Sequence, residues 1–151
     1  MQKTWGRAVA LARRVAFLPP LVLRVVLGVT FAMTGWGKLH NLDAITRYFE
    51  SLGIPSASVQ APLVAALELV GGVLVLLGLG TRVVSLLLAV VMAVALYTAI
   101  WPNVAGVREL LGSIEAAYLA AFLYLAAHGA GAVSVDHLAA RRFSMLGLTM
   151  K

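Results

Sequence analysis

The sequence predicts an all-α membrane protein: a four-transmembrane-helix bundle with a short amphipathic helix in its first outer loop. Three observations predict it. Hydrophobic residues make up 62% of the chain and charged residues only 12%, against roughly 45–50% and about 25% in a soluble domain. Four apolar runs, at about residues 20–39, 62–80, 83–101 and 113–133, have the length that crosses a hydrocarbon core of about 30 Å. Between the first two runs, apolar residues recur at helical rather than continuous spacing. The runs fill most of the 151 residues. One membrane domain (20–133) is therefore expected between a basic arm (1–19) and a basic tail (134–151).

Charge sets the expected orientation. One side of the bundle carries Lys3, Arg7, Arg13, Arg14, Arg82, Arg141, Arg142 and Lys151, and the other Lys38, Arg47 and Arg108. The positive-inside rule then places both termini in the cytoplasm of a multi-pass protein. The net charge of +6 does not point to nucleic acid, because the cations cluster at helix ends and form no stripe interleaved with aromatics. Residues 1–17 do not read as a cleavable signal, since Arg13 and Arg14 interrupt a short apolar core. The absence of cysteine excludes a disulfide, a thiolate metal site or thiol exchange within the chain itself.

Each element has a local cause. The arm reads either as a basic amphipathic segment with Trp5 at headgroup level or as a frayed end that only sets topology. Pro19-Pro20 opens the first span, because proline suits the first helical turn. In the following loop, Leu42, Ile45, Phe49 and Leu52 share a helical face. Asn41 or Asp43 can cap that helix, and Gly53 with Pro55 can stop it. It is expected to lie flat on the outer surface, over the bundle mouth. The second and third spans are separated only by Leu79–Arg82, which predicts an antiparallel hairpin. Residues 101–113 form the second outer loop. The tail is expected to begin a short helix at Asp136.

Ionisable side chains inside the spans carry the functional signal. A charge at the bilayer centre costs about 2.5–3.5 kcal/mol on the most lenient scale, so such residues face the bundle interior and have partners. Arg24, Gly28, Phe31, Gly35 and Lys38 fall on one face of the first span, and Glu68, Gly72, Val75, Leu79 and Arg82 on one face of the second. Glycines on these faces let the backbones approach closely. At 1.5 Å per residue, Lys38 and Glu68 differ in depth by about 7 Å, and Arg24 and Glu68 by about 14 Å. The sequence thus pairs Lys38 with Glu68 in an intramembrane polar pocket. It leaves Arg24, Arg82 and Asp136 as polar residues on the inner side, with Arg24 meeting Arg82, Asp136 or lipid phosphate. The Lys38–Glu68 pair reads as a structural ion pair, as a pocket for a proton or a redox ligand, or as a neutral hydrogen-bonded Glu68. Glu115, Tyr97 and Trp101 fall near the same level, the latter two as interfacial anchors.

The three histidines do not make a metal site. His40, His128 and His137 are dispersed along the chain, without carboxylates at ligand spacing. His128 is a packing residue or a contact for a ligand such as a quinone. GLGTR lacks the lysine and length of a phosphate-binding loop, and neither G-x-S-x-G nor H-E-x-x-H occurs.

Three stretches resemble the DoxX family. RVVLGVTFAMTGWGKLHNLDAITRYFESLGIP is similar to its opening signature, ELVGGVLVLLGLGTR to its second, and HGAGAVSVDHL to its last. They occur in the family's order and cover residues 21–138. The resemblance implies a four-helix protein of the bacterial inner membrane with a redox role. Some members resemble the membrane subunit of a thiosulfate:quinone oxidoreductase, and others act in assemblies that detoxify oxidants and sulfur. By motif position it selects Arg24, Lys38, Glu68, Thr81, Arg82 and Asp136. The missing cysteines separate this chain from redox-cysteine relatives, and His40 and His128 are not family-defining.

The functional expectation is a non-catalytic or co-catalytic membrane subunit of an oxidoreductase assembly. It would anchor a redox protein partner in the lipid bilayer and offer a quinone or proton-handling pocket, with no intrinsic cofactor. Two alternatives are a structural subunit of a larger membrane complex and a small proton-coupled exporter using Glu68. A homo-oligomer is compatible with each.

Overall fold

The computed structural model describes residues 17–138. The arm with Trp5 and the tail beyond Leu138 lie outside the described residues. Among the described residues, six helices follow in order, α1 (Leu18–Leu39), α2 (Leu42–Ser51), α3 (Ala57–Leu77), α4 (Thr81–Ala95), α5 (Val107–Leu111) and α6 (Ile114–His128), and a further helical turn opens at residues 135–138, where the tail helix is expected. The α4 helix runs on through a π-helical turn, Leu96–Ile100, and a 3₁₀ turn, Trp101–Asn103. No strand occurs among the described residues. Three of the helical segments, Leu18–Leu39, Ala57–Leu77 and Thr81–Asn103, are long and apolar enough to cross a membrane.

Two close helix pairs build the bundle. In the first, α1 packs along α3 through glycines. A Cβ on Gly35 would lie 2.7 Å from the carbonyl oxygen of Ala65, and one on Gly28 would lie 2.8 Å from that of Gly72. Without a hydrophobic driving force between helices in lipid, such backbone proximity supplies the packing energy. In the second pair, α4 packs along α6. Phe31 joins the pairs, its ring edge-to-face with Phe122 at 4.7 Å and with Tyr118 at 5.3 Å. Around it lie the buried Leu27, Val75, Leu88 and Leu125. Val22, Val26, Leu63, Val70, Val83, Leu86 and Val90 are exposed on the outside, which in an isolated soluble bundle would be an extensive apolar surface and here matches lipid tails.

The amphipathic helix α2 forms where its spacing predicts. Leu42, Ile45, Phe49 and Leu52 are all half-buried, and Gly53, at φ +71°, takes the left-handed conformation that ends it. Asn41 precedes it, but its side-chain amide donates to the Gly37 carbonyl at 3.0 Å instead of capping.

Three boundaries differ from expectation. The second span begins at Ala57 rather than at Pro62, because the helix accepts Pro62 in its second turn at the loss of the one hydrogen bond that an amide there would give to the Ser58 carbonyl. It ends at Leu77, where Gly78 turns left-handed at φ +72°. Leu79 and Arg82 therefore leave the buried face on which continuous helical spacing places them, and both are exposed. The fourth span's helix stops at His128, and Gly129 and Gly131, at φ +81° and +76°, carry the chain onward without helix. Its 15 residues rise only about 22 Å, so irregular backbone completes this crossing.

Candidate functional site

The α1–α3 seam sets the candidate site. Burial of Arg24, Leu27, Gly28, Phe31 and Gly35 fixes the inward face of α1, and Lys38 follows one turn on. The inward face of α3 is Ala61, Ala65, Glu68, Gly72 and Val75. The glycine contacts bring the two axes together, so Lys38 reaches Glu68. Lys38 Nζ donates to Glu68 Oε1 at 2.6 Å. The pair is uneven: Glu68 is 1% exposed, while the Lys38 side chain keeps 24%. The ammonium can thus exchange with its surroundings while the carboxylate cannot.

Only half of the Glu68 carboxyl is satisfied. Oε2 is buried with no hydrogen-bond partner, although such groups are nearly always paired in folded proteins. Glu68 also lines a cavity of about 480 Å³ between α1, α2, α3, the end of α4 and α6. Leu63, Leu67, Val91 and Met92 give this cavity apolar walls, and Phe49 of α2 and Leu52 just after it cover it. Thr30, Thr34 and Lys38 run down the α1 side at four-residue spacing, and Tyr118 and Glu115 contribute from α6. The π-helical turn supplies Thr98, Ala99 and Ile100; such turns recur at functional sites because one extra residue redirects the side chains that follow. An apolar chamber with a few convergent polar groups is the usual build of a small-molecule site. Tyr97 and Trp101 remain outside it, 75% and 52% exposed.

At the opposite, hairpin end of the bundle, Arg24 has a different environment from that expected. It meets neither Arg82 nor Asp136 in a hydrogen bond, and takes four backbone carbonyls instead. Nε donates to Val75 at 3.0 Å, Nη2 to Leu76 at 2.8 Å, and Nη1 to Ala130 at 2.9 Å and Val133 at 2.5 Å. Two of these are carbonyls from the last turn of α3, where no i+4 amide follows in the helix, although Val75 O also accepts from the Gly78 amide at 3.1 Å. The other two belong to the irregular segment after α6. Irregular backbone at membrane depth persists only when protein groups satisfy it, and Arg24 does so while compensating the α3 dipole.

Asp136 performs the reciprocal task. Its Oδ1 accepts from the Gly80 amide at 2.9 Å and its Oδ2 from the Thr81 amide at 3.2 Å, capping α4. Arg82 and His128 are both exposed and border a shallow groove at this end. His128 stacks on Tyr124 at 4.3 Å and shares no cavity with Lys38 and Glu68. Among the described residues no three His, Asp or Glu side chains are grouped to hold a metal.

Of the residues selected from sequence, then, the structure brings together Lys38 and Glu68 at one end and clusters Arg24, Arg82, Asp136 and His128 at the other. Sequence reasoning missed Ser85, whose buried hydroxyl has no partner, a feature shared by Thr81. It also missed Thr30, Thr34 and Tyr118 as cavity residues. The four-residue polar spacing Thr30–Thr34–Lys38 in an apolar helix was a usable signal for the first two.

The DoxX family model matches residues 20–101, more than half of the chain. The chain belongs to the DoxX family. Similarity extends beyond the matched region in two relatives of comparable length. Inner membrane protein YqjF of Escherichia coli (strain K12) is 32% identical over 78% of this DoxX chain and 89% of its own. Membrane protein Rv3486 of Mycobacterium tuberculosis is 35% identical over 85% of this chain and 87% of its own. A third relative, "Putative oxidoreductase CatD" of Bacillus subtilis (strain 168), is 41% identical over 52% of this chain. The match spans 57% of CatD's length. No solved structure matches this DoxX protein.

Proposed function

We propose that this DoxX protein is the membrane subunit of an oxidoreductase assembly and that the chamber beside Lys38 and Glu68 receives a quinone. The observation that carries the reading is the unpartnered Glu68 Oε2 on the wall of an otherwise apolar cavity. A quinone needs an apolar berth for its ring and tail, a donor for its carbonyl oxygen and an acceptor for the hydroxyl of its reduced form. Lys38 has two further N–H donors beyond the one given to Glu68, and Oε2 is an open acceptor. Reduction of the quinone to the quinol consumes two electrons and two protons. On this reading a redox protein partner bound to this subunit supplies the electrons, and thiol chemistry of the chain itself supplies none, because it has no cysteine. Lys38 and Glu68 are suited to pass the protons. The name of the relative CatD supports an oxidoreductase context. On this reading the protein sits in a bacterial inner membrane with both termini in the cytoplasm, which the excess of Lys and Arg on that side supports.

The test is equilibrium binding of a short-chain benzoquinone and of a naphthoquinone to the detergent-purified protein. Saturable binding that Glu68→Gln weakens about tenfold is expected, equivalent to about 1.4 kcal/mol. Absence of saturable binding by either compound would remove the quinone reading. A second reading, that the Lys38–Glu68 ion pair only fixes helix register, is favoured by the short 2.6 Å contact. It predicts that Glu68→Gln alters assembly with the partner and leaves quinone binding and turnover unchanged.

A further inference from the structure

The groove at the hairpin end lies away from the quinone chamber and has a charge imbalance of its own. Its volume is about 430 Å³, and it opens to the surface between Arg82 at the start of α4, His128 at the end of α6, and His137. Asp136 is the carboxylate on its lining, and both of its oxygens already accept backbone amides of α4. The other carboxylates cannot help. Asp43, Glu50, Glu109 and Glu115 belong to the opposite end, and Glu68 is held by Lys38. Residues 1–42 and 137–151 contain no Asp or Glu at all. No acidic side chain outside the described residues is therefore available to neutralise Arg82.

The Arg82 guanidinium makes no hydrogen bond or salt bridge among the described residues, and it lies across Gly129, where a Cβ would come 3.2 Å from its Nε. The glycine thus keeps the arginine against the groove. His128 is fixed through Nδ1, which is 3.0 Å from the Tyr124 carbonyl; a carbonyl only accepts, so this nitrogen carries the proton. Beside the groove, Leu79, Val83 and Val133 are exposed apolar residues, placed where acyl chains would run. An unpaired cation at the rim of a helix bundle, next to a lipid-facing surface, fits a phosphate group.

We infer that this groove, bordered by His128 and His137, is a binding site for a phosphate-bearing anion held by Arg82, and independent of the quinone chamber. The anion's phosphate takes the bidentate fork of Arg82. The same chemistry is offered by an anionic lipid headgroup and by a free phosphate compound. The exposed Leu79, Val83 and Val133 favour the lipid.

Native mass spectrometry of the full-length, lipid-stripped protein with added phosphatidylglycerol tests the inference, with phosphatidylcholine as the comparison lipid. A thermal-shift titration with inorganic phosphate in non-ionic detergent is the second arm. Discrete one-to-one retention of phosphatidylglycerol is expected. Arg82→Gln should lower its affinity about tenfold, while Arg47→Gln, the same charge change at the far end, should leave it unaltered. Arg82→Lys keeps the charge but loses the fork and should fall between the two, which also covers poor folding of the glutamine variant. Stabilisation by phosphate that depends on Arg82, without lipid retention, would assign the site to a free phosphate compound. The inference is overturned if neither probe binds, or if Arg82→Gln and Arg47→Gln change binding equally.

Discussion

Single residues carry the chemistry of this protein, and two of them respond to substitution in opposite ways. Glu68 is buried against one cation, so removing that cation strands a charge in the bundle. Lys38→Met is expected to destabilise the protein by about 3 kcal/mol, the cost of breaking a buried pair from one side. The double variant Lys38→Met with Glu68→Leu should recover most of that loss, because it removes both desolvated groups together. Denaturant unfolding in mixed micelles would measure both; equal losses in single and double variants would show that the pair contributes little. Arg24 differs in that no hydrogen-bonded side-chain partner can be removed with it. Its four acceptors are main-chain carbonyls, which no second substitution eliminates. Arg24→Met should therefore cost about 3 kcal/mol or more and should expose the segment 129–134 to proteolysis. Arg24→Lys should rescue it poorly, because an ammonium cannot reproduce the planar fork that reaches two chain segments. An Arg24→Lys protein as stable as the wild type would contradict the carbonyl-cage account.

At the scale of elements, the α1–α3 seam governs whether the site exists. Gly35 and Gly72 meet backbone directly, Gly72 lying against Ala32 and Gly35 against Leu69. Neither contact involves a flexible side-chain tip that could move aside. Gly35→Ala is expected to cost about 2 kcal/mol by overpacking and to weaken quinone binding more than Gly37→Ala, since Gly37 faces open space. Parallel thermal-shift and binding measurements on the two variants would check this, and equal effects would refute it. The same seam was legible in the sequence. Proline boundaries set the depth of α1, glycine spacing sets the faces, and together they place Lys38 opposite Glu68 from the sequence alone. The hairpin end was far less legible. Carbonyl oxygens occur at every residue, so nothing in the sequence distinguishes Val75, Leu76, Ala130 and Val133 as partners for Arg24. The early stop of α6 was masked because Ala130, Ala132 and Val133 prolong the apolar run past His128. Gly129 and Gly131 were the available signal, but glycine is also common inside membrane helices. The π-helical turn Leu96–Ile100 left no trace, because an added backbone residue does not alter an unbroken hydrophobic stretch.

For the whole molecule, the charge distribution and the fold combine into a statement about orientation. The cations that outnumber those of the opposite side belong to the arm, to Arg82 at the hairpin and to the tail. The α2 cover, the 3₁₀ turn and α5 share the other end with Lys38 and the mouth of the chamber. If the positive-inside rule decides the insertion, the chamber beside Glu68 opens toward the outer leaflet and the groove beside Arg82 toward the cytoplasmic one. The two proposed sites would then serve different sides of the membrane, the one for a lipid-soluble redox carrier and the other for an anionic headgroup. Because the chain has no cysteine, single-cysteine labelling can decide the orientation without background. Asn103→Cys, on an exposed turn at the chamber end, should react with a membrane-impermeant maleimide in intact spheroplasts. Lys151→Cys should react only after the membrane is permeabilised. The reverse pattern would place Arg82 outside. It would turn the chamber toward the cytoplasm, and the proposed redox partner would then have to be sought among soluble cytoplasmic proteins.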